Sequence, residues 1–386
     1  MADERILKEC EETLRKLVMV DTSQPEGNEF DIVKVIDSLL PECMYREIID
    51  HGNNRASLVA RADGQNEKGG LAFVGHIDTV SFGDIDRWTH HPLSAHTEDD
   101  ILHGRGSSDM KGGVAAMIIT ARRIMSHSQK PKHNIYFCFT ADEEANGTGV
   151  LAMLENGVFE DVDEFIIAEP TSESIGVCEK GALWLKITAF GALAHGSRPD
   201  VGINAIDLLF DFFTAFKDRV ISNEIHELLN KTTVVMTKIN GGILTNIIPD
   251  NAQIEIDIRT LPSLSHDEII ETAKDIFNSI SKQDTRIHFE LEVLNNRLPA
   301  QTPANSAIVE RMSELFVERG MDCAPKGFYF YTDMSQIISY YNRPFVILGP
   351  GDDKQAHQLN EHISISSIAN FADIFTDYIE KFYLED

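Results

Sequence analysis

The hydrophobic pattern in the first half of the chain alternates between short apolar runs and a stretch with helical spacing. The apolar runs lie at 71–75, 134–140 and 164–168, and each has the length and composition of a buried strand. Between the first two, residues 111–125 place Ala, Met and Ile at helical spacing after a glycine pair. Strands that alternate with helices predict an α/β fold with a mainly parallel sheet and helices on both faces.

From about residue 183 the pattern changes. We predict, in chain order, a strand at 183–189, a helix at 204–217, strands at 232–238 and 252–259, a helix at 265–281 and a strand at 287–293. This β-α-β-β-α-β order is that of a ferredoxin-like α+β unit. The α/β pattern then returns, with a helix at 305–319, a strand at 344–348 and a helix at 364–382. We therefore predict a larger domain formed by 1–181 and 295–386, with a small domain inserted at 182–294.

Composition and charge narrow the classes of function. Of the 386 residues, 42% are hydrophobic and 25% charged, as in globular proteins. The net charge of −28 argues against nucleic acid or an anionic membrane as a partner, since both require a positive surface. We see no signal-peptide core and no apolar run of membrane-spanning length. The five cysteines are scattered without CxxC spacing, so we expect reduced thiols in a cytoplasmic protein.

Three segments that follow predicted strands contain side chains of the kind that bind metals. His76 and Asp78 lie two residues apart in an extended stretch and therefore point to the same side. Asp109 lies on a glycine-rich turn before a helix, where a helix N-cap is the structural alternative. Glu143 and Glu144 follow a strand, and the strand ends of an open α/β sheet are where ligands bind.

Two further residues fit the same site. Glu169 directly follows an apolar strand, and His357 lies in a loop after the strand that ends near residue 348. Each could be a surface residue when taken alone, but together the set combines His and carboxylate ligands with a spare glutamate. That combination suits a hydrolytic zinc centre, where metals lower the pKa of water and a free carboxylate takes its proton.

Seven segments, in this order, resemble the acetylornithine deacetylase/succinyl-diaminopimelate desuccinylase family. They read GHIDTV, GRGSSDMKGG, TADEE, EPT, AHGSRPDVGINAI, GGILTNIIPD and AHQLNE, and they span most of the chain. The family also contains aminoacylases, glutamate carboxypeptidases and di- and tripeptidases. The resemblance implies a zinc-exopeptidase-like catalytic domain with an inserted lid and dimerisation domain.

The resemblance also implies the metal ligands. His76 and Glu169 would complete one zinc site, and Glu144 and His357 the other. Asp109 would bridge the two metals, with a cis peptide bond after it. Zinc is the expected metal, and cobalt is the alternative.

Three catalytic residues follow from the same resemblance. Asp78 would orient His76, and Glu143 would be the general base that deprotonates the attacking water and hands the proton to the leaving amine. His195 would reach from one protomer of a homodimer into the partner's active site and hold the oxyanion.

The substrate is less narrowly defined. Asn246 and Arg259 match family positions that bind the carboxylate end of the substrate, and Thr332 matches a position that contacts it. The segment before Thr332 reads GFYFY, where desuccinylases carry small residues. We expect an N-acyl amino acid, with N-succinyl-L,L-diaminopimelate first, N-acetylornithine second and a short peptide third.

Two other classes of function fit less well. A non-catalytic protein that kept the fold would be expected to lose a ligand or the general base, and none is lost. A nucleotide-binding protein would need a P-loop or GxGxxG spacing, which the glycines do not have. The histidines His90, His91, His96 and His103 form a further cluster, but the resemblance places no ligand there, so we interpret them as loop residues.

Overall fold

The computed structural model describes residues 4–221 and 224–384. The strands are β1 (Tyr45–Gly52), β2 (Arg55–Ala62), β3 (Asn66–His76), β4 (His96–Glu98), β5 (Ile101–His103), β6 (His133–Thr140), β7 (Val162–Ile167), β8 (Ile175–Glu179), β9 (Gly181–Phe190), β10 (Ala194–His195), β11 (Thr233–Gly241), β12 (Ile247–Ile248), β13 (Asn251–Thr260), β14 (His288–Arg297), β15 (Ala300–Gln301), β16 (Pro325–Phe328), β17 (Phe345–Ile347) and β18 (His362–Ser364). The helices are α1 (Glu4–Val18), α2 (Glu29–Leu39), α3 (Gly112–Ser126), α4 (Thr148–Glu155), α5 (Ala205–Val220), α6 (His266–Ser281), α7 (Ala307–Glu318), α8 (Met334–Tyr340) and α9 (Ile365–Ile379).

The chain divides into two compact units. The first comprises Met1–Cys178, Gln301–Lys326 and Thr332–Asp386, and the second comprises Glu179–Ala300 and Gly327–Tyr331. The sequence predicts an insert at 182–294 and assigns 327–331 to the larger domain. This short segment belongs instead to the second unit, because Lys180 N–H donates to the carbonyl of Phe328 at 3.0 Å and the ring of Tyr331 lies against Arg259. None of the helices in the described part of the chain is long and apolar enough to cross a membrane.

The first unit is built on a nine-stranded sheet. Its order is β1-β2-β6-β3-β7-β17-β8-β15, with β16 paired to β8. The central strands β6, β3, β7 and β17 run parallel. At one side β1 and β2 are antiparallel, and at the other β8 is antiparallel to β17. The predicted α/β fold is confirmed, with a sheet that is parallel at its centre and mixed at its edges.

Helix α3 brings its first turn unusually close to the sheet. Its residues from Gly112 to Ala121 are all buried, and the helix packs against α1 and α9. A Cβ atom on Gly113 would lie 2.0 Å from the carbonyl oxygen of Ala168 at the end of β7. Only glycine fits there, so the glycine pair seen in the sequence allows the turn before α3 to approach the carboxyl ends of the strands.

A second, smaller sheet of the first unit has the order β18-β5-β4. Each strand has only three residues, and β18 pairs with β5 from about 260 positions further along the chain. The interpretation of His96 and His103 as loop residues is wrong, because His96 begins β4 and His103 ends β5.

The second unit contains a four-stranded antiparallel sheet of order β11-β13-β9-β14. With α5 and α6 it follows the β-α-β-β-α-β order that the hydrophobic pattern predicts. Alternate residues of β13 are buried, as expected for a sheet covered on one face. In its core Phe277 stacks on Phe289, with ring centroids 4.7 Å apart, and lies tilted against Phe212 at 4.9 Å.

Candidate metal centre

Three neighbouring parallel strands deliver predicted ligands to one edge of the large sheet. His76 is the last residue of β3, Glu144 follows β6 by four positions, and Glu169 follows β7 by two. Because β3 pairs with both β6 and β7 in parallel, the carboxyl ends of all three strands meet at the same edge. The predicted location of the ligands at strand ends follows directly from this topology.

Asp109 lies between two histidines that are far apart in the sequence. Its Oδ1 atom is 3.1 Å from Nε2 of His76, and its Oδ2 atom is 3.5 Å from Nε2 of His357. The Asp109–Met110 peptide bond is cis, as the resemblance implies. Asp109 does not cap α3, which begins at Gly112 without a side-chain cap. The carboxylate therefore has the placement of a group that bridges two metal ions.

Each histidine is paired with one glutamate. His76 Nε2 lies 3.7 Å from Glu169 Oε1, and His357 Nε2 lies 2.9 and 3.0 Å from the two carboxylate oxygens of Glu144. One ligand atom each from His76, Asp109 and Glu144 falls within a 4.8 Å span. The structure thus brings all five predicted ligands together, in the two pairs that the resemblance implies.

The electrostatics of this group of side chains favour added positive charge. Burial opposes protonation of His76, but Glu169 and Asp109 outweigh it and hold the pKa of His76 well above its usual range. Burial also raises the pKa of Glu169 well above the range of an ordinary glutamate, and Asp109 and Glu144 add to this effect. Burial, together with the charge of Asp109, raises the pKa of Glu144. Three carboxylates that repel one another, one buried and two half-buried, form with two imidazoles and no thiolate a donor set suited to two divalent ions of the zinc or cobalt type.

Asp78 organises the site through several contacts. Nδ1–H of His76 donates to the backbone carbonyl of Asp78 at 3.0 Å, which leaves the Nε2 lone pair to bind a metal, while the Asp78 carboxylate is 3.6 Å from the same Nδ1. That carboxylate accepts the backbone N–H groups of Glu143 and Glu144 at 3.0 and 3.2 Å, and the side chain of Gln24 at 2.8 Å. Asp78 therefore orients the predicted ligand His76 and also the turn that carries the predicted general base.

The remaining predicted residues lie in both units. In the first, Thr332 is buried and its hydroxyl accepts the Met334 N–H at 3.1 Å. In the second, His195 is exposed and adjoins Asn246, whose carbonyl accepts the Gly196 N–H at 2.7 Å. Arg259 pairs with Asp257 on the same strand at 2.9 Å. The roles of these residues in binding the substrate or the oxyanion stay predictions.

Comparison with known proteins decides the family. The family model described as peptidase family M20/M25/M40 matches residues 72–381, which is most of the chain. The chain belongs to peptidase family M20/M25/M40. A probable succinyl-diaminopimelate desuccinylase of Staphylococcus aureus (strain MSSA476) is 30% identical to this M20 chain, over 95% of the chain and 96% of the relative.

Solved structures share the M20 fold. The aminopeptidase PepT of Bacillus cereus superposes with a TM-score of 0.79 at 19% identity, covering 97% of this chain and 98% of that one. A dinuclear metal binding peptidase of the M20 family from Bacillus subtilis superposes with a TM-score of 0.75 at 16% identity, covering 98% of both chains. As an M20 protein, the chain is a metal-dependent hydrolase of amide bonds.

One residue of the M20 site is absent from the sequence prediction. The carboxylate of Glu361 is fully buried and accepts four hydrogen bonds at 2.8–3.0 Å. Their donors are the guanidinium of Arg105 and the backbone N–H groups of Gly106, Ser108 and Asp109. Glu361 therefore fixes the turn that presents the carboxylate of Asp109. Its position in AHQLNE, four residues after His357, is a signal that could have pointed to it.

Proposed function

We propose that this M20 hydrolase uses two zinc ions, with cobalt as the alternative, to remove the acyl group from an N-acyl amino acid. N-succinyl-L,L-diaminopimelate is the first substrate, and N-acetylornithine or a short peptide is the alternative. The observation that carries the dinuclear part of the proposal is the position of Asp109 between the His76–Glu169 pair and the Glu144–His357 pair. A single carboxylate shared by two His–Glu pairs has the right number and type of ligands for two ions.

The chemistry is divided between the metals and the chain. When bound, the two ions polarise the amide carbonyl and lower the pKa of water. Glu143 takes the proton of the attacking water and returns it to the leaving amine, a contribution of roughly 10²–10⁴-fold to the rate. Its backbone N–H is held by Asp78 at 3.0 Å, so the turn after β6 keeps the base and the adjacent ligand Glu144 in fixed relation.

Cationic side chains of the second unit support a substrate with several carboxylates. Lys180 lies over the ring of Tyr329 at 4.9 Å, and Arg259 and Arg297 lie 5.8 and 5.3 Å from the ring of Tyr331. Arg297 is buried, whereas Arg259 is part-exposed beside Asp257, and a planar guanidinium suits carboxylate recognition. We propose that Arg259 binds a substrate carboxylate.

Two further substrate contacts are carried over from the resemblance. We propose that Asn246 and Thr332 complete the binding of the substrate. The name of the S. aureus relative and the glutamate at position 169, which resembles that of N-acyl-cleaving members, favour deacylation over peptide cleavage.

We further propose that the second unit is a lid and dimerisation domain, and that His195 of one protomer acts in the site of its partner. The backbone N–H of Ser197 points to Nδ1 of His195 at 3.2 Å, so Nδ1 accepts and the proton resides on Nε2. An Nε2–H group is the donor that the oxyanion of an amide hydrolysis requires. The five cysteines, scattered without CxxC spacing, favour action in the cytoplasm.

A substrate panel tests the activity. Demetallated protein is reloaded with zinc or with cobalt and assayed on N-succinyl-L,L-diaminopimelate, N-acetylornithine and a set of tripeptides. We expect activity only after reloading and the highest kcat/KM on the succinyl substrate. The Glu143→Gln protein, prepared in parallel, controls for contaminating hydrolases. Full activity without metal would refute the metal proposal, and a preference for another substrate class would replace the succinyl assignment.

A mixed dimer tests the role of His195. We expect His195→Ala and Glu143→Gln to be inactive separately. After subunit exchange the mixture should regain activity, since one site of a mixed dimer contains both groups. Light scattering should give the mass of a dimer. A fully active monomer, or no recovery in subunits shown to exchange, would refute the shared site.

A further inference from the structure

Four histidines outside the metal centre lie side by side on the small sheet β18-β5-β4. His96 is the register partner of His103, which is also the register partner of His362, so one histidine from each strand forms a row. His90, from the preceding loop, stacks on His96 with ring centroids 3.9 Å apart and lies 5.2 Å from His103. We call these four residues the histidine patch.

A carboxylate belongs to the same face. Glu98 is two residues after His96 on β4, so both side chains point to the side opposite the buried Leu102 and Ile363. One ligand atom each from His90, His96 and Glu98 lies within a span of 4.8 Å. These side chains are exposed or half-buried, so small rotations can bring their donors to the spacing of ligands around a common ion.

The ring nitrogens of the patch are available as ligands. His362 Nδ1–H donates to the carbonyl of Asn360 at 2.9 Å, which leaves the lone pair on Nε2. The rings of His90, His96 and His103 make no hydrogen bond within residues 4–221 and 224–384. Burial, together with the other three histidines, lowers the pKa of His103, so the neutral, metal-binding form is favoured at neutral pH.

A solvated row of histidines is the structural alternative. It does not account for the convergence of the loop and three strands on one set of imidazoles with an adjoining carboxylate. Imidazole and carboxylate ligands together select zinc, copper or nickel over magnesium or calcium. We propose that His90, His96, Glu98 and His103 bind one further transition-metal ion, separate from the dinuclear centre.

An ion at this place would hold a loop to the sheet. The backbone N–H of Thr89 donates to the side-chain oxygen of Asn360 at 2.7 Å, so the loop before His90 already meets the segment that leads into β18. The next residue in that segment, Glu361, holds the turn of Asp109. The ion would therefore stabilise the surroundings of the dinuclear centre without taking part in its chemistry.

Metal stoichiometry tests the proposal. Demetallated protein is dialysed against Zn²⁺, and bound metal is counted in wild type, in His96→Asn/His103→Asn and in His91→Asn. His91 is the matched control, since it is an exposed histidine of the same loop whose Nδ1 accepts the Leu93 N–H at 3.2 Å and which is outside the patch. We expect the double variant to bind one equivalent less than wild type and the control to bind the same amount as wild type. Circular dichroism verifies folding, and Glu98→Gln is a milder second variant.

The site is measured alone in protein whose dinuclear centre is weakened by Asp109→Asn. In this background Cu²⁺ should bind at the patch with nitrogen hyperfine structure in its electron paramagnetic resonance spectrum. We expect Glu98→Gln to weaken Cu²⁺ binding in the same background. Adding His96→Asn/His103→Asn should weaken Cu²⁺ binding further. The loss should exceed about 10–100-fold, which is the effect of removing a residue that only supports a metal ligand. Equal zinc content and equal copper affinity in protein with and without the patch substitutions would overturn the proposal, as would an equal loss in His91→Asn.

Discussion

Replacing Glu361 by Gln should loosen the turn that presents Asp109. The carboxylate is fully buried, with Oε2 bound to Arg105 and the Gly106 N–H and with Oε1 bound to the N–H groups of Ser108 and Asp109. A carboxamide has one oxygen, so in either orientation its NH₂ group faces two donors that it cannot satisfy.

The expected loss in the free energy of unfolding follows from the donors that the substitution leaves unpaired. Breaking a buried ion pair by neutralising one partner costs about 3–5 kcal/mol. Arg105 keeps a hydrogen bond to the carbonyl of Gln358 at 3.1 Å and its contact with the ring of Trp88, so we expect the lower end, about 3 kcal/mol. Because the turn holds Asp109, a proposed metal ligand, metal affinity should also fall by about 10–100-fold.

Urea unfolding of demetallated protein measures the loss of stability, and zinc competition with a chelator of known affinity measures the loss of metal affinity. Glu380→Gln is the control, since Glu380 is partly exposed and pairs with His127 at the surface. Its effect should stay within about 0.5 kcal/mol. If Glu361→Gln unfolded at the same urea concentration as the control and bound zinc equally well, the carboxylate would not be holding the turn.

Three further predictions address other parts of the molecule. Glu143→Gln should keep both metals and lose roughly 10²–10⁴-fold in turnover, whereas Glu144→Gln should lose metal. If metal analysis showed the reverse pattern, the roles of base and ligand would have to be exchanged between the two residues. Burial, with the neighbouring charge of Asp78, raises the pKa of Glu29 to about 7. Between about pH 4.5 and 7 the folded state therefore keeps a proton that the unfolded state has released. This group consequently lowers the free energy of unfolding as pH rises from about 4.5 to 7. Glu29→Gln should therefore gain about 1–3 kcal/mol relative to wild type between pH 5 and pH 8 in urea unfolding, and an unchanged difference would refute the assignment. Phe212→Ala should cost about 3–5 kcal/mol in the core of the second unit, while the equivalent change at the exposed Phe210 should cost less than about 1 kcal/mol.

The parts of the fold that local pattern encodes could be predicted from the sequence. The strands at 71–75 and 134–140 are apolar because they are buried on both faces of a parallel sheet, and such runs are visible without a structure. The order of elements in the second unit is likewise carried by alternation and helical spacing within each segment. Three-residue strands such as His362–Ser364 carry no such pattern, since their pairing depends on a partner about 260 residues away.

In the candidate site, too, features that depend on residues far apart in the sequence could not be predicted from local pattern. The sequence allows two interpretations of Asp109, a helix cap or a metal ligand, because a glycine-rich turn before a helix suits both. Only the structure distinguishes them, since it brings His76 and His357 to Asp109 from 33 and 248 residues away. The sequence position of Glu361 near His357 could have drawn attention to it, but its role could not be assigned, because three of its four donors are backbone N–H groups of a distant turn.

The difference in preorganisation between the two metal-binding groups predicts the order in which they fill. In the proposed dinuclear centre His76 is buried and its ring is oriented by the hydrogen bond from Nδ1 to the carbonyl of Asp78, whereas in the histidine patch His96 is exposed and no hydrogen bond within the described residues orients its ring. A ligand that is already oriented loses less conformational entropy on binding, so the dinuclear centre should bind zinc more tightly. When zinc is added stepwise to demetallated protein, hydrolytic activity should therefore reach its plateau at two equivalents. The third equivalent should raise the thermal midpoint of wild type but not that of His96→Asn/His103→Asn. Activity that appears only with the third equivalent would mean that the patch fills first and that exposure does not set the order.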